Sequence, residues 1–194
     1  MTTALRTAFD GARHAPDLVE AVVFLDQVLG GLDLGLAGLE VWRTPPTRSR
    51  GIDQFRQAVE LADPRSANAW ESRLRMFAML QAGFPRLEVN RPVFDLDGNF
   101  IGIPDLLDVE AGLALEFDGQ DHRKRRQHRA DNIREEVLEL TNLTVCRVDS
   151  LDLGQPRSLR ARLTARRAQG MARDRRRDRW TLVEPAWWRR RRAA

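Results

Sequence analysis

The chain has 194 residues, 42% of them hydrophobic, with 32 basic and 28 acidic side chains giving a formal net charge of +4. That length supports one well-buried domain with appendages rather than two full-sized domains. A single cysteine, Cys146, excludes an intrachain disulfide and a cysteine zinc cluster.

No apolar run approaches the roughly 20 residues that a membrane helix requires, and the amino terminus lacks the continuous apolar core of a secretory signal. A soluble cytoplasmic protein with no membrane partner is therefore expected. Charge is unevenly placed: arginines crowd the segment after Pro156, most acids precede it, and Lys124 is the only lysine. A basic segment on a near-neutral body points to a polyanionic partner.

Residues 16 to 29 begin with Pro16 and place Leu18, Val22, Leu25 and Leu29 at helical spacing up to Gly30-Gly31, which predicts an amphipathic helix. A shorter helical piece follows over 36 to 42. Residues 52 to 62 repeat the pattern with Ile52, Phe55, Val59 and Ala62, and stop at Asp63-Pro64. Together they make an N-terminal helical region, residues 1 to 65. Its apolar stripes are most simply core, although such a region can also bind DNA, form a homodimer or take a protein partner.

A helix over 66 to 82 carries Trp70, Leu74, Phe77 and Gln81 on one side and ends at Gly83. Glu71 and Arg75 stand one turn apart on another side. An exposed ion pair is the plainer account; in the functional one, Glu71 reaches towards acids further along the chain. After Pro85 the periodicity becomes extended. Residues 87 to 94 and 99 to 107 flank Asp97-Gly98, a strong hairpin signal, and Pro104 inside the second strand argues for an edge or a bulge. A third strand runs over 112 to 118. A polar helix over about 125 to 140 follows, with Ile133, Val137 and Leu140 as its buried stripe and Asn142 at its end, and a fourth strand covers 143 to 148. Cys146 reads as a small buried residue of that strand. The order α-β-β-β-α-β predicts an α/β fold, a mixed sheet flanked by helices, over residues 66 to 155.

From Leu151 onwards apolar residues become sparse. Residues 157 to 168 suit one basic helix, whereas 173 to 179 and 189 to 192 are charge runs that cannot bury themselves. Residues 156 to 194 thus read as a basic helix and tail. Trp180, Trp187 and Trp188 interrupt the runs, which fits phosphate contact combined with base stacking; the alternative is a disordered solvated tail whose tryptophans dock on the body or on a protein partner.

The stretch Leu113-Ala114-Leu115-Glu116-Phe117-Asp118-Gly119-Gln120-Asp121-His122 sets an apolar strand before a cluster of acids and a histidine. Alternation sends Glu116 and Asp118 to one face at the strand end, and the turn at Gly119 brings His122 back towards them. Asp105, at the end of a neighbouring strand, could approach Glu116 across the sheet, and the two could chelate one hard cation. His122 could position a water, act as general base or protonate a leaving oxygen. The plainer alternative is a polar strand end, an ordinary turn and a histidine at a helix start.

Glu71 in a first helix, Pro104-Asp105, Glu116-Phe117-Asp118-Gly119-Gln120-Asp121-His122, then Asp131 and Arg134, and a closing strand ending in Arg147-Val148 resemble the PD-(D/E)XK restriction-endonuclease-like superfamily. More closely they are similar to its very-short-patch-repair-like branch, over about residues 66 to 152. The resemblance implies a restriction-endonuclease-like core that hydrolyses DNA phosphodiester bonds. It also implies Mg²⁺ or Mn²⁺ held by Asp105 and Glu116 with Asp118 as a third acid, catalytic assistance from His122, and an accessory place for Glu71, Asp131 and Arg134. DNA phosphates would be met by Arg123, Lys124, Arg125, Arg126 and Arg134, and by Arg175, Arg176 and Arg177 of the basic segment. The lysine of the superfamily's name would fall at Asp118 and is missing; the branch it resembles also lacks that lysine, and Lys124 could migrate into the role. The helical region before the core resembles one related to abortive-infection antitoxins that precedes the nuclease-like domain in actinobacterial proteins. A DNA-binding regulator or antitoxin-like protein that keeps the fold without the chemistry is the alternative function.

Overall fold

A computed structural model describes residues 3–32, 36–42, 50–119, 138 and 140–193. The chain divides into two compact units, one through Met76 and one from Phe77 onward.

The first unit is helical. Helix α1 (Ala4–His14) starts at Thr3, whose hydroxyl oxygen accepts the Arg6 N–H at 3.2 Å, and buries Ala8, Phe9 and Ala12. Periodicity alone did not predict this helix, because two of its three buried positions are alanines. Helix α2 (Leu18–Gly31) is capped by the Asp17 carboxylate and is followed by a 3₁₀ turn (Leu36–Trp42) and helix α3 (Ile52–Leu61). Phe9 meets Phe55 edge to face at 4.8 Å. Gly51 begins α3 at φ +78°, and a Cβ there would lie 2.1 Å from the Arg13 carbonyl oxygen, so both the backbone angle and the space demand glycine.

Helix α4 (Ala69–Leu80) spans the division between the units. Its N-terminal half corrects the expectation of an exposed Glu71–Arg75 pair, since both residues are buried. Arg75 Nη2 instead lies 2.7 Å from Asp26 Oδ2, and its Nη1 donates to the Leu61 carbonyl. The fully buried Asp26 also accepts the Asp63 N–H at 2.7 Å and the Ser72 hydroxyl at 2.6 Å. Burial pushes the Asp26 carboxyl above its ordinary pKa, with Arg75, Ser72 and the Asp63 amide opposing that shift. Ion-pair spacing along one helix was overridden by a partner on another, as desolvation requires for a guanidinium taken out of water.

The second unit holds two sheets. The four-stranded one has the order β1 (Glu88–Val89), β4 (Leu106–Asp108), β5 (Leu113–Asp118), β6 (Thr144–Asp149). The three-stranded one has the order β3 (Phe100–Gly102), β2 (Val93–Asp95), β7 (Trp180–Thr181). Each of the two long hairpin strands expected from the sequence is therefore broken in two. The breaks fall at Pro92 and Pro104, which have no N–H to give a ladder. The turn between β2 and β3 is where Asp97-Gly98 predicted it, with Gly98 at φ +84°. β4 and β5 are antiparallel, β5 and β6 parallel, so the four-stranded sheet is mixed. With seven α-helices among the described residues, the protein is α/β.

The expected helix over 125 to 140 lies almost wholly outside the described residues. At its end Leu138 is buried, whereas Leu140 is 82% exposed, which removes Leu140 from the expected apolar stripe. Two residues along a helix point to nearly opposite sides, so only one of this pair can face the core. Asn142 sits at φ +74°, as expected of the residue that closes such a helix. Cys146 is buried as predicted, and burial pushes its thiol pKa up.

The C-terminal segment departs most from expectation. Helix α5 (Ser150–Leu153) leads into α6 (Pro156–Met171), which opens on proline and buries Leu159 and Leu163. Gly170 packs so closely that a Cβ would lie 2.3 Å from the Ala111 carbonyl oxygen. Arg167 reaches the buried Asp108 at 2.7 Å and Glu110 at 2.7 Å. Strand β7 then pairs with β2, and Trp180 enters a core with Val93, Leu107, Ala114, Leu138, Leu143 and Val145. Helix α7 (Ala186–Ala193) follows, with Trp187 Nε1 donating to the Gly98 carbonyl at 3.0 Å. A charge run cannot bury itself, but a tryptophan and a two-residue strand within it can. Among the described residues no helix is long and apolar enough to cross a membrane.

Two consequences are measurable by urea unfolding. Trp180→Ala should destabilise the protein by about 3–5 kcal/mol, the usual cost of removing a large buried aromatic; an unchanged midpoint would return the segment to a solvated tail. Arg75→Ala, which strands the buried Asp26 carboxylate, should cost a similar 3–5 kcal/mol or so, and the paired change Asp26→Leu with Arg75→Met should cost less than Arg75→Ala alone. Equal losses would deny the coupling.

Candidate metal centre

The acids of interest gather where β4 meets β5. Leu106 faces Leu115 and Leu107 faces Ala114 in the antiparallel register. Continuing that register by one residue sets Asp105, just before β4, against Glu116. Asp105 is held on both its backbone and its side chain: its carbonyl oxygen accepts the Asn90 N–H at 3.0 Å, and its Oδ2 accepts the Phe117 N–H at 2.7 Å. Pro104 contributes locally, because a residue without an N–H ends β3's ladder and leaves Asp105 to turn into β4.

On the other side of β5, the parallel register sets Glu116 beside Arg147 and Asp118 beside Asp149. Arg147 Nε lies 3.8 Å from Glu116 Oε2, with both side chains partly exposed. Asp118 is exposed at the strand end, and Asp149 caps α5 by accepting the Asp152 N–H at 2.8 Å. The upstream half of β5 is buried on both faces, so the strand changes from core to solvent within its six residues. The carboxylates sit at that change.

The structure thus brings Asp105, Glu116 and Asp118 to one end of adjacent strands. Among the described residues, no group of three or more His, Cys, Asp or Glu side chains is arranged to hold a metal ion. Mg²⁺ commonly takes only one or two carboxylates and keeps several waters, so Asp105 and Glu116 are the residues that would hold such a cation. His122, Arg123, Lys124, Arg125, Arg126, Asp131 and Arg134 lie outside the described residues. Glu71, in the first unit, accepts the Ala67 N–H at 2.8 Å and an Asn68 side-chain N–H at 2.6 Å, so its carboxylate helps close the start of α4. Arg175 is engaged within the fold, donating to the Val109 carbonyl at 3.2 Å and lying over the Trp180 ring at 5.5 Å. Arg176, paired with Asp174, and Arg177 remain exposed.

Arg147 is the neighbour that sequence reading did not assign to the site. Its signal was present as the one cation inside an otherwise apolar closing strand, but pairing it with Glu116 required knowing that β6 lies parallel to β5 in this register. No protein-family model, curated protein or solved structure matches the chain.

Arg147 and a metal ion would compete for the same carboxylate. Adding Mg²⁺ should raise the thermal midpoint of the wild type, less so for Asp105→Asn and Glu116→Gln, and more so for Arg147→Met, because a bound cation stabilises the state that holds it. Equal shifts in all four proteins would remove these residues from any metal site.

Proposed function

We propose that the chain is a metal-dependent endonuclease that hydrolyses DNA phosphodiester bonds on a restriction-endonuclease-like core. The observation that carries this reading is the register of β4 and β5, which sets Asp105 against Glu116 at a partly exposed strand end. The ordered motifs from Glu71 through Asp105, Glu116 and His122 to Arg134 support the same family of chemistry.

In this reading Asp105 and Glu116 hold Mg²⁺ or Mn²⁺, and Asp118 adds a third acid. When bound, such a cation neutralises charge on the scissile phosphate and lowers the pKa of a water. The Phe117 N–H fixes one Asp105 oxygen and so orients the carboxylate. Arg147, beside Glu116, limits repulsion between the acids before the cation arrives. His122 takes or delivers a proton, a role that its place after Gly119 allows. Arg123, Lys124, Arg125, Arg126 and Arg134, with Arg176 and Arg177, supply affinity for the phosphate backbone.

A second reading has one observation in its favour: the Phe117 N–H and the Arg147 guanidinium give both acids partners without any cation. A DNA-binding regulator or antitoxin-like protein on the same fold would look like this. Incubating supercoiled plasmid with the protein and Mg²⁺ or Mn²⁺ separates the two. The nuclease should nick or linearise the plasmid, Glu116→Gln should abolish cutting, and His122→Ala should lower turnover by about 10²-fold or more, the usual scale for a lost acid–base group. DNA retention without metal-dependent cutting selects the regulator.

A further inference from the structure

A groove apart from the carboxylates is formed by β3 and α7. Phe100, Trp187, Trp188 and Arg191 line a groove of about 550 Å³. Phe100 and Trp188 stack at 5.0 Å with 12° between their planes, and Trp187 stands edge-on to Trp188 at 5.5 Å. Phe94 supports the group from beneath, edge to face with Phe100 at 6.0 Å and with Trp188 at 5.3 Å. The Trp187 indole is fixed by its hydrogen bond to the Gly98 carbonyl.

These rings are not simply core. Phe100 is 44% exposed and Trp187 40% exposed, although burying them would be favourable. Helix α7 reads Ala-Trp-Trp-Arg-Arg-Arg-Arg-Ala, so the groove is bordered by cations on an element with no acid, and Arg189, Arg190 and Arg191 are exposed. The occupant must therefore offer flat apolar faces and negative charge at close spacing. An aliphatic partner fails the second requirement, and a cationic one is repelled by the arginines. An unpaired nucleotide meets both, its base stacking on an aromatic face and its phosphate meeting a guanidinium.

We infer that the groove of Phe100, Trp187, Trp188 and Arg191 is a binding site for single-stranded DNA, in which unpaired bases stack on the exposed aromatic rings and α7 arginines contact the phosphates. The inference takes DNA as the partner from the proposed function. It requires neither a metal ion nor cleavage.

The test uses the full-length protein with a chelator present. Fluorescence anisotropy is measured with a labelled oligothymidylate, an abasic deoxyribose-phosphate oligomer of the same length, and an oligouridylate. Wild type should bind oligothymidylate about tenfold more tightly than the abasic oligomer, the scale of one stacked base. Trp187→Leu and Phe100→Leu, which keep an apolar side chain at exposed positions, should erase that preference. Arg190→Glu with Arg191→Glu should weaken both DNA oligomers alike. Equal binding of the abasic oligomer and oligothymidylate by wild type overturns the proposal, as does tighter binding of oligouridylate. It is also overturned if sedimentation shows the wild type self-associating through a face that Trp187→Leu disrupts, since the groove then belongs to a second copy. Loss of plasmid cutting with the base preference intact would sink the nuclease alone.

Discussion

The second unit depends on the register of β5, which pairs antiparallel with β4 on one side and parallel with β6 on the other. Leu115 is opposite Leu106 in one neighbour and level with Cys146 in the other, so three chains of side chains are fixed by one alignment. A slip of one residue would turn every β5 side chain to the other face. Leu113, Ala114 and Leu115 are buried, and a slip that drew the Glu116 carboxylate in among them would be costly, which holds the alignment in place. The same alignment puts Asp105 and Arg147 on either side of Glu116. The acids are therefore positioned by hydrophobic burial upstream of them, at a strand end that reaches solvent.

How far this was legible in the sequence depends on the range of the interaction involved. Helices α2, α3 and α4 were readable from apolar spacing and stop signals, and the hairpin from Asp97-Gly98, because those signals are local. Pro104 was recognised as an interruption, but periodicity alone could not say that it and Pro92 would divide one hairpin between two sheets. Arg75 was misjudged for the same reason: a helix offers Glu71 at the favoured spacing, yet the partner that satisfies its guanidinium is Asp26 from α2. The candidate site was legible as a set of acids, since alternation and strand order suffice to bring Asp105 and Glu116 near each other. Arg147's place beside Glu116 was not, because a parallel register between strands separated by a long connection leaves no local trace.

The polar contacts around the acids also bear on how such a site could work. A carboxylate that already accepts a backbone N–H keeps its orientation whether or not a cation is present, as Asp105 does with Phe117. Glu116 differs, since its charged neighbour stands at 3.8 Å with both side chains partly open to solvent, a contact that high dielectric weakens. The Asp105 carboxylate is thus oriented by the backbone of the strand it faces.

The arginine-rich C-terminal segment changes meaning once its few apolar residues are counted by position rather than by frequency. Trp180 lies in the core cluster, and Trp187 and Trp188 hold α7 against the β2–β3 hairpin. Arg173 donates to the Leu143 carbonyl and Arg175 to that of Val109, so part of the positive charge serves the fold itself. Further arginines are carried on α6, on α7 and on the turn around Arg176. Charge presented by an ordered element needs less ordering upon binding than the same charge on a loose tail, because the backbone entropy has already been lost in folding. Beyond α6, three tryptophans thereby convert charge runs that cannot bury themselves into a surface with fixed cations and exposed rings.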